Sequence, residues 1–302
     1  MTRLLEPEFQ AKPLKPNSTH VPIGDSKKIH RDKLAVEGLA LGARFLCFAV
    51  KRTMPSDWNR PIDSFAKDDM DRLAKVPWYA LQVSQTSQTS RTSRTSRYPG
   101  RLDQLIPNYH AYFEAAMTKL GEHGIELAGI TMRIIDEIEF NRQVDRSGNK
   151  STLLSECSLG LVRAAVTEFS NASEDIEVYC DKHGGRNRYH PLLTYMFDQE
   201  WFAIEIEGRD CSRYASKWDG HAMRIQFKVD GDSMFPSAAA SIMAKCTREE
   251  LMGRLNEFWG SKVAGGIAAT AGYYVDAMRF AKQIEETATK LGLLRDQWWR
   301  KK

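Results

Sequence analysis

The sequence predicts an α/β fold: a central, mixed sheet flanked by helices, with a C-terminal helical region. Three observations carry this. Short apolar runs bounded by polar turns, "IEVYCDKHGG" (176–185), "WFAIEIEG" (201–208) and "MRIQFKVDG" (223–231), read as strands. Stretches with apolar residues at helical spacing stand between them. Beyond residue 237 the pattern is almost wholly helical, first over 237–259 and then over "YYVDAMRFAKQIEETATKLG".

Taken in order, residues 1–22 carry four prolines and few large apolar residues after Leu5, which predicts an extended lead-in. "DSKKIHRDKLAVEGLALGARFLCFAV" (25–50) has Leu34, Leu39 and Leu41 at helical spacing and then a denser apolar run, predicting a helix followed by a strand. "SQTSQTSRTSRTSR" (84–97) is a three-residue repeat with no apolar side chain and so nothing to bury. It predicts a disordered insertion, tolerated as surface loops tolerate extra length. "YHAYFEAAMTKLGEHG" (109–124) predicts a helix stopped by glycine, and "IELAGITMRII" (125–135) a buried strand. "NKSTLLSECSLGLVRAAVTEF" (149–169) predicts a helix with Leu154, Cys157, Leu161 and Ala165 on its apolar stripe. The strands over 201–208 and 223–231 suggest an antiparallel pair.

The chain's 302 residues, 42% hydrophobic, suffice for a substantial core. With 43 Lys and Arg against 39 Asp and Glu, the net charge is +4, which permits a polyanionic partner without requiring one. The five cysteines form no CxxC pair, which argues against a zinc site or a disulfide framework and for reduced thiols. No apolar run approaches the ~20 residues of a membrane span. A cytoplasmic protein is expected.

Asp181 and Asp232 share a setting. Each follows an apolar strand pattern and lies at its C-terminal end, where open α/β sheets bind ligands. Two carboxylates gathered there repel one another unless a cation stands between them. Hard oxygen ligands suit Mg²⁺ or Mn²⁺, and such ions hydrolyse phosphodiesters. Spacing alone leaves open the alternative that both are turn residues, since Asp before Gly is common in loops.

"GDSMFPSAAASIMAKCTREELM" (231–252) resembles the signature of type 2 ribonucleases H, in which an acidic residue precedes a segment close to "AASI-AK-TR". "GDSKKIHRDKL" (24–34) resembles the family's "DSK" segment. The helix of 149–169 followed by "IEVYCDKHGGRNRY" resembles its helix-then-strand unit ending in a catalytic Asp. The resemblance spans about residues 23–290, with 84–97 and 190–223 as insertions. It implies a ribonuclease H-like domain over 23–260 and a helical region over 261–302. It also implies Asp181 and Asp232 as the third and fourth acids of a four-carboxylate metal site, with Mg²⁺ or Mn²⁺ as cofactor. The substrate would be an RNA–DNA hybrid or a ribonucleotide-containing duplex, cleaved in its RNA strand. The helix after Asp232 would buttress it, with Ala238–Ala240 allowing close approach to the sheet. Lys27, Lys28, Arg186, Lys245 and Arg248 are candidate phosphate contacts; for Lys245 and Arg248 a solvated helix face is the plainer reading.

Two departures from the family pattern stand out. Its first two acids, in a motif close to "GIDEAGRG", have no counterpart upstream of Asp25, which implies a chain read from a late start, the favoured explanation, or a divergent member that has lost its first strands and half its metal site; either way metal binding is expected to be weak. "IIDEIEF" (134–140) lies in the wrong place to replace that motif, so Asp136 and Glu137 are expected at a helix entry or on the surface. The family's tyrosine in a "GY-T" context falls near Ile267, unless Tyr273 or Tyr274 takes its place, so a strict preference for single ribonucleotides is not implied. Two further readings compete with the nuclease. One is a non-catalytic nucleic-acid-binding module using Arg186, Arg188 and Tyr189 with Lys27 and Lys28. The other is an interaction protein docking through Trp298 and Trp299, a pair that more simply packs back on its own domain. No protein partner is inferable.

Overall fold

The computed structural model describes residues 9–10, 12, 20–29, 35–53, 59–80, 109–170, 174–198 and 200–301. The repeat 84–97, including Arg91, Arg94 and Arg97, lies outside the described residues, as does most of the lead-in 1–22. The chain divides into two compact units. One comprises Met1–Ser56, Tyr98–Met132 and Leu154–Cys246; the other comprises Asp57–Arg97, Arg133–Leu153 and Thr247–Lys302. No helix among the described residues is long and apolar enough to cross a membrane.

The first unit holds a four-stranded mixed sheet of β1 (Ile176–Asp181), β2 (Ala203–Glu207), β3 (Cys211–Trp218) and β4 (His221–Lys228), in the order β1-β4-β3-β2. β1 runs parallel to β4, with Asp181 opposite Lys228; β3 is antiparallel to both β4 and β2. One face is apolar. Tyr214, Met223, Ile225 and Phe227 pack there against Leu159, Val166, Leu193 and Phe197. The intervening positions, such as Arg224 and Lys228, are exposed, the alternation expected of a sheet with one wet face.

The runs 201–208 and 223–231 both form strands, but they do not pair with each other. β3 lies between them, and its residues were not predicted as a strand. Its inward positions include Ser212, fully buried yet polar, which breaks the apolar alternation. The turn that joins it to β4 did carry a signal. Asp219 (φ 49°) and Gly220 (φ 84°) both occupy the left-handed region, as a two-residue type I′ hairpin requires. The segment 190–223 thus supplies the short helix His190–Met196 and two of the four strands.

Three other expectations are corrected. Residues 35–51 form one helix, not a helix and a strand: Glu37 to Cys47 are buried on every side, and an apolar run of that kind cannot be told from a strand by periodicity. Residues 125–135 form no strand, and among the described residues none pairs with them in a ladder. On the helix Lys150–Phe169 the buried side chains are Leu153, Ser155, Leu159 and Val166, while Leu154 is 50% exposed; the true stripe is offset from the predicted one. The helix Tyr109–Glu122 and its glycine stop, Gly124 at φ 62°, are as predicted.

The helices Ala35–Lys51 and Phe235–Lys262 approach closely at Gly42. A Cβ added there would stand 2.6 Å from the Pro22 carbonyl oxygen and 3.4 Å from the Ile242 side chain. The first of these is backbone and cannot swing aside. Gly42→Ala is therefore expected to lower stability by about 1–3 kcal/mol, the usual cost of overpacking, as read from urea unfolding.

The second unit is helical among its described residues, with Trp78, Phe258 and Trp259 in ring contact. The C-terminal tail packs on the helix Glu137–Ser147. Asn141 donates to the carbonyls of Asp296 and Trp299 and accepts from Lys301 N, and Trp298 is buried, so the tryptophan pair folds back on its own unit. Asp136 caps that helix by accepting from Glu139 N at 2.9 Å. It does stand at a helix entry, but buried and paired with Arg72 rather than on the surface.

Candidate functional site

Because β1 and β4 are parallel, their C-terminal ends lie at the same edge of the sheet. Lys182 N donates to Lys228 O, carrying the pairing one residue past Asp181. The chain leaving β4 then reverses: Asp230 takes a left-handed conformation (φ 54°) and Gly231–Ser233 form a single 3₁₀ turn. This turn lays Gly231 on the end of β1, where its N–H donates to Asp181 Oδ1 at 3.3 Å. The backbones are in contact, since a Cβ on Gly231 would stand 3.0 Å from Asp181 Cα and 3.2 Å from Asp181 N and Cys180 O. A glycine is needed here for room, and it brings Asp232 to Asp181.

The helix Phe235–Lys262 begins two residues after this turn and holds it in place. Ser237 Oγ donates to Tyr179 O at 3.0 Å, and Ala238 is buried. Of the Ala238–Ala240 run, only Ala238 is buried and Ala240 is exposed; the helix start meets the sheet through Ser237.

A third carboxylate acts on Asp232 electrostatically. Asp25 precedes the short helix Ser26–Ile29 and accepts from Lys27 N at 2.9 Å. Lys27 Nζ reaches Asp230 Oδ1 at 3.5 Å, which ties this segment to the turn bearing Asp232. Partial burial pushes the Asp232 carboxyl above its usual range. The negative charges of Asp25 and Asp181 push the same way, and Lys27 and Lys245 oppose them. Burial also works against the Asp25 carboxylate, but the Lys27 N–H and the Lys28 ammonium outweigh it and hold its carboxyl below the ordinary value. Sequence alone does not bring Asp25 to the site, although it lies in the "DSK" segment.

The predicted phosphate contacts divide. Lys27, Lys28 and Lys245 gather around the acids. Arg186 lies in the loop that follows Asp181. Arg248 belongs to the other unit, where it pairs with Glu249 at 2.7 Å, donates to Ala271 O at 2.5 Å and lies over the Tyr273 ring. Tyr189 is fully buried and stacked on Phe227, with ring centroids 3.7 Å apart, so it is not a surface for a nucleic-acid base. Ile267 is half-buried, whereas Tyr273 and Tyr274 are exposed at the start of the helix Tyr274–Lys290.

Among the described residues, no group of three or more His, Cys, Asp or Glu is gathered closely enough to hold a metal ion. Asp181 and Asp232 remain a pair of hard oxygen donors linked by Gly231, which bonds Asp181, with Asp25 acting on Asp232 electrostatically. No family model, no curated protein and no solved structure matches this chain.

Proposed function

We propose that the chain is a ribonuclease HII-like, metal-dependent endonuclease that hydrolyses the RNA strand of RNA–DNA hybrids. The observation that carries the reading is the meeting of Asp181 and Asp232 at the parallel strand ends, with Asp25 close enough to raise the Asp232 carboxyl further. Carboxylates held against their own repulsion are a mark of sites that take a cation. Asp181 and Asp232 would hold Mg²⁺ or Mn²⁺, both suited to oxygen donors. When bound, the metal supplies an acidified water and Lewis-acid stabilisation of the phosphodiester. The chain's own residues orient the site: Gly231 N–H fixes one Asp181 oxygen, and Ser237 anchors the supporting helix to β1. Lys27 and Lys245 place positive charge beside Asp232, where a substrate phosphate would come.

The test is incubation with a fluorescent RNA–DNA hybrid and Mn²⁺. Cleavage of the RNA strand is expected, lost with chelator and absent on an all-DNA duplex. The competing reading is a non-catalytic nucleic-acid-binding module, favoured by the lack of a third metal-ligand group among the described residues. It predicts hybrid binding without cleavage.

Gly231→Ala probes the geometry. The added Cβ meets Asp181 backbone, so the turn must shift by a few tenths of an ångström and carry Asp232 with it. A misplacement of 1 Å costs about 10²-fold; a loss on the order of tenfold in cleavage is expected here, with the fold retained.

A further inference from the structure

The loop after Asp181, residues 182–188, is exposed at Gly184, Gly185, Asn187 and Arg188, yet it is held by side chains at nearly every step. Lys182 Nζ donates to Asn187 Oδ1 at 2.9 Å, to Arg186 O at 3.3 Å and to Gly208 O at 2.5 Å. Ser212 Oγ of β3 donates to Asn187 O at 2.6 Å. The Tyr214 hydroxyl accepts from Tyr189 N at 2.9 Å, and the Tyr189 hydroxyl accepts from His183 N at 3.0 Å. At the loop's other flank His183 Nδ1 meets Ser155 Oγ at 3.1 Å. A solvated loop tied only for stability needs few such bonds, since exposed backbone is satisfied by water. A loop held in one form at the mouth of a site displays something in a set place.

What it displays is Arg188, whose side chain is 86% exposed. Its Nε lies 3.8 Å from Glu207 Oε2, while Glu207 Oε1 accepts from the Tyr214 hydroxyl at 2.6 Å. Tyr214 therefore acts twice. It holds the backbone of Tyr189, the residue after Arg188, and it binds Glu207 Oε1 while the guanidinium stands by Oε2.

We propose that Tyr214 and Ser212 are positioning residues whose hydroxyls set the 182–188 loop so that Arg188 meets a nucleic-acid phosphate along the strand-end edge of the sheet that carries Asp181. The assignment rests on the proposed nuclease reading and adds to it a phosphate contact and the device that places it. Arg188 touches substrate; Tyr214 and Ser212 act through the loop. Tyr214 is fully buried, and burial together with the bond to Glu207 pushes its phenol well above the ordinary value, so the hydroxyl stays a donor to Glu207 across the working pH range.

The experiment is a double-mutant cycle on binding of a fluorescein-labelled RNA–DNA hybrid, in Ca²⁺ to suppress cleavage. Arg188→Ala is expected to weaken binding about fivefold in wild type and by less than about twofold in Tyr214→Phe. In the wild-type background alone it is expected to lower the salt slope by about one phosphate contact. Ser212→Ala, which removes a different bond to the same loop, is expected to show the same coupling. Thermal melts confirm that each variant is folded, and if Tyr214→Phe does not fold the Ser212→Ala cycle decides. Equal effects of Arg188→Ala in both backgrounds, with wild type binding the hybrid, overturn this inference and leave the nuclease reading standing. A wild-type protein that neither binds nor cleaves the hybrid overturns both.

Discussion

Asp232→Asn is expected to abolish hybrid cleavage while leaving the protein at least as stable as wild type. The substitution keeps the size of the side chain and removes its charge. In activity the loss should be at least about 10²-fold, the size reached when one transition-state-stabilising group is deleted. In stability the sign is opposite. The folded-state carboxyl of Asp232 is raised by burial and by Asp25 and Asp181. Below the ordinary carboxylate range both folded and unfolded states are protonated and the group is neutral in effect. As pH rises through the raised value, ionisation is disfavoured in the folded state, so at neutral pH Asp232 subtracts from stability. Asn should recover that loss at neutral pH and not in acid. Thermal melts at both pH values in metal-free buffer check it. A variant that is inactive because it is destabilised at neutral pH would contradict the account.

Asp69→Ala is expected to destabilise the second unit by about 1–3 kcal/mol, the cost of leaving the buried Ile134 N–H without its acceptor. Asp69 is 1% exposed and accepts from Ile134 N at 2.6 Å, from Arg72 at 2.8 Å and from Arg133 at 3.3 Å. Arg72 also pairs with buried Asp136, the cap of the helix Glu137–Ser147, and donates to Ile134 O. Removing Asp69 strands the Ile134 N–H and takes one carboxylate partner each from Arg72 and Arg133. Urea unfolding followed by tryptophan fluorescence measures it, since Trp78, Trp259 and Trp298 are buried in this unit. A loss below about 1 kcal/mol would mean that water or Asp136 replaces Asp69 readily.

Local chemistry was legible wherever the pattern met a single physical demand. "IEVYC" and "MRIQFK" alternate inward and outward and form β1 and β4; Asp181 ends β1, while Asp232 lies beyond β4 in a turn that Gly231 lays on the parallel strand's end. The strand pairing itself was not legible. β3 hides behind Ser212, a buried hydroxyl whose reason is the backbone carbonyl of Asn187, distant in sequence. The 35–51 helix was read partly as a strand because both surroundings are dry. Asp25 was passed over because its partners are brought to it by the turn at 230–232, which only the folded chain reveals. Asp69 carried no motif, and its importance comes from Arg72, Arg133 and Ile134 converging on it.

Direct measurement of Mn²⁺ binding by electron paramagnetic resonance tests the central claim, comparing wild type with the Asp181→Asn/Asp232→Asn double variant at equal folded concentration. Wild type should deplete the free-ion signal in a saturable way and the double variant should not. Saturable binding of the same strength in both would show that Asp181 and Asp232 are turn residues and that the metal-dependent reading is wrong.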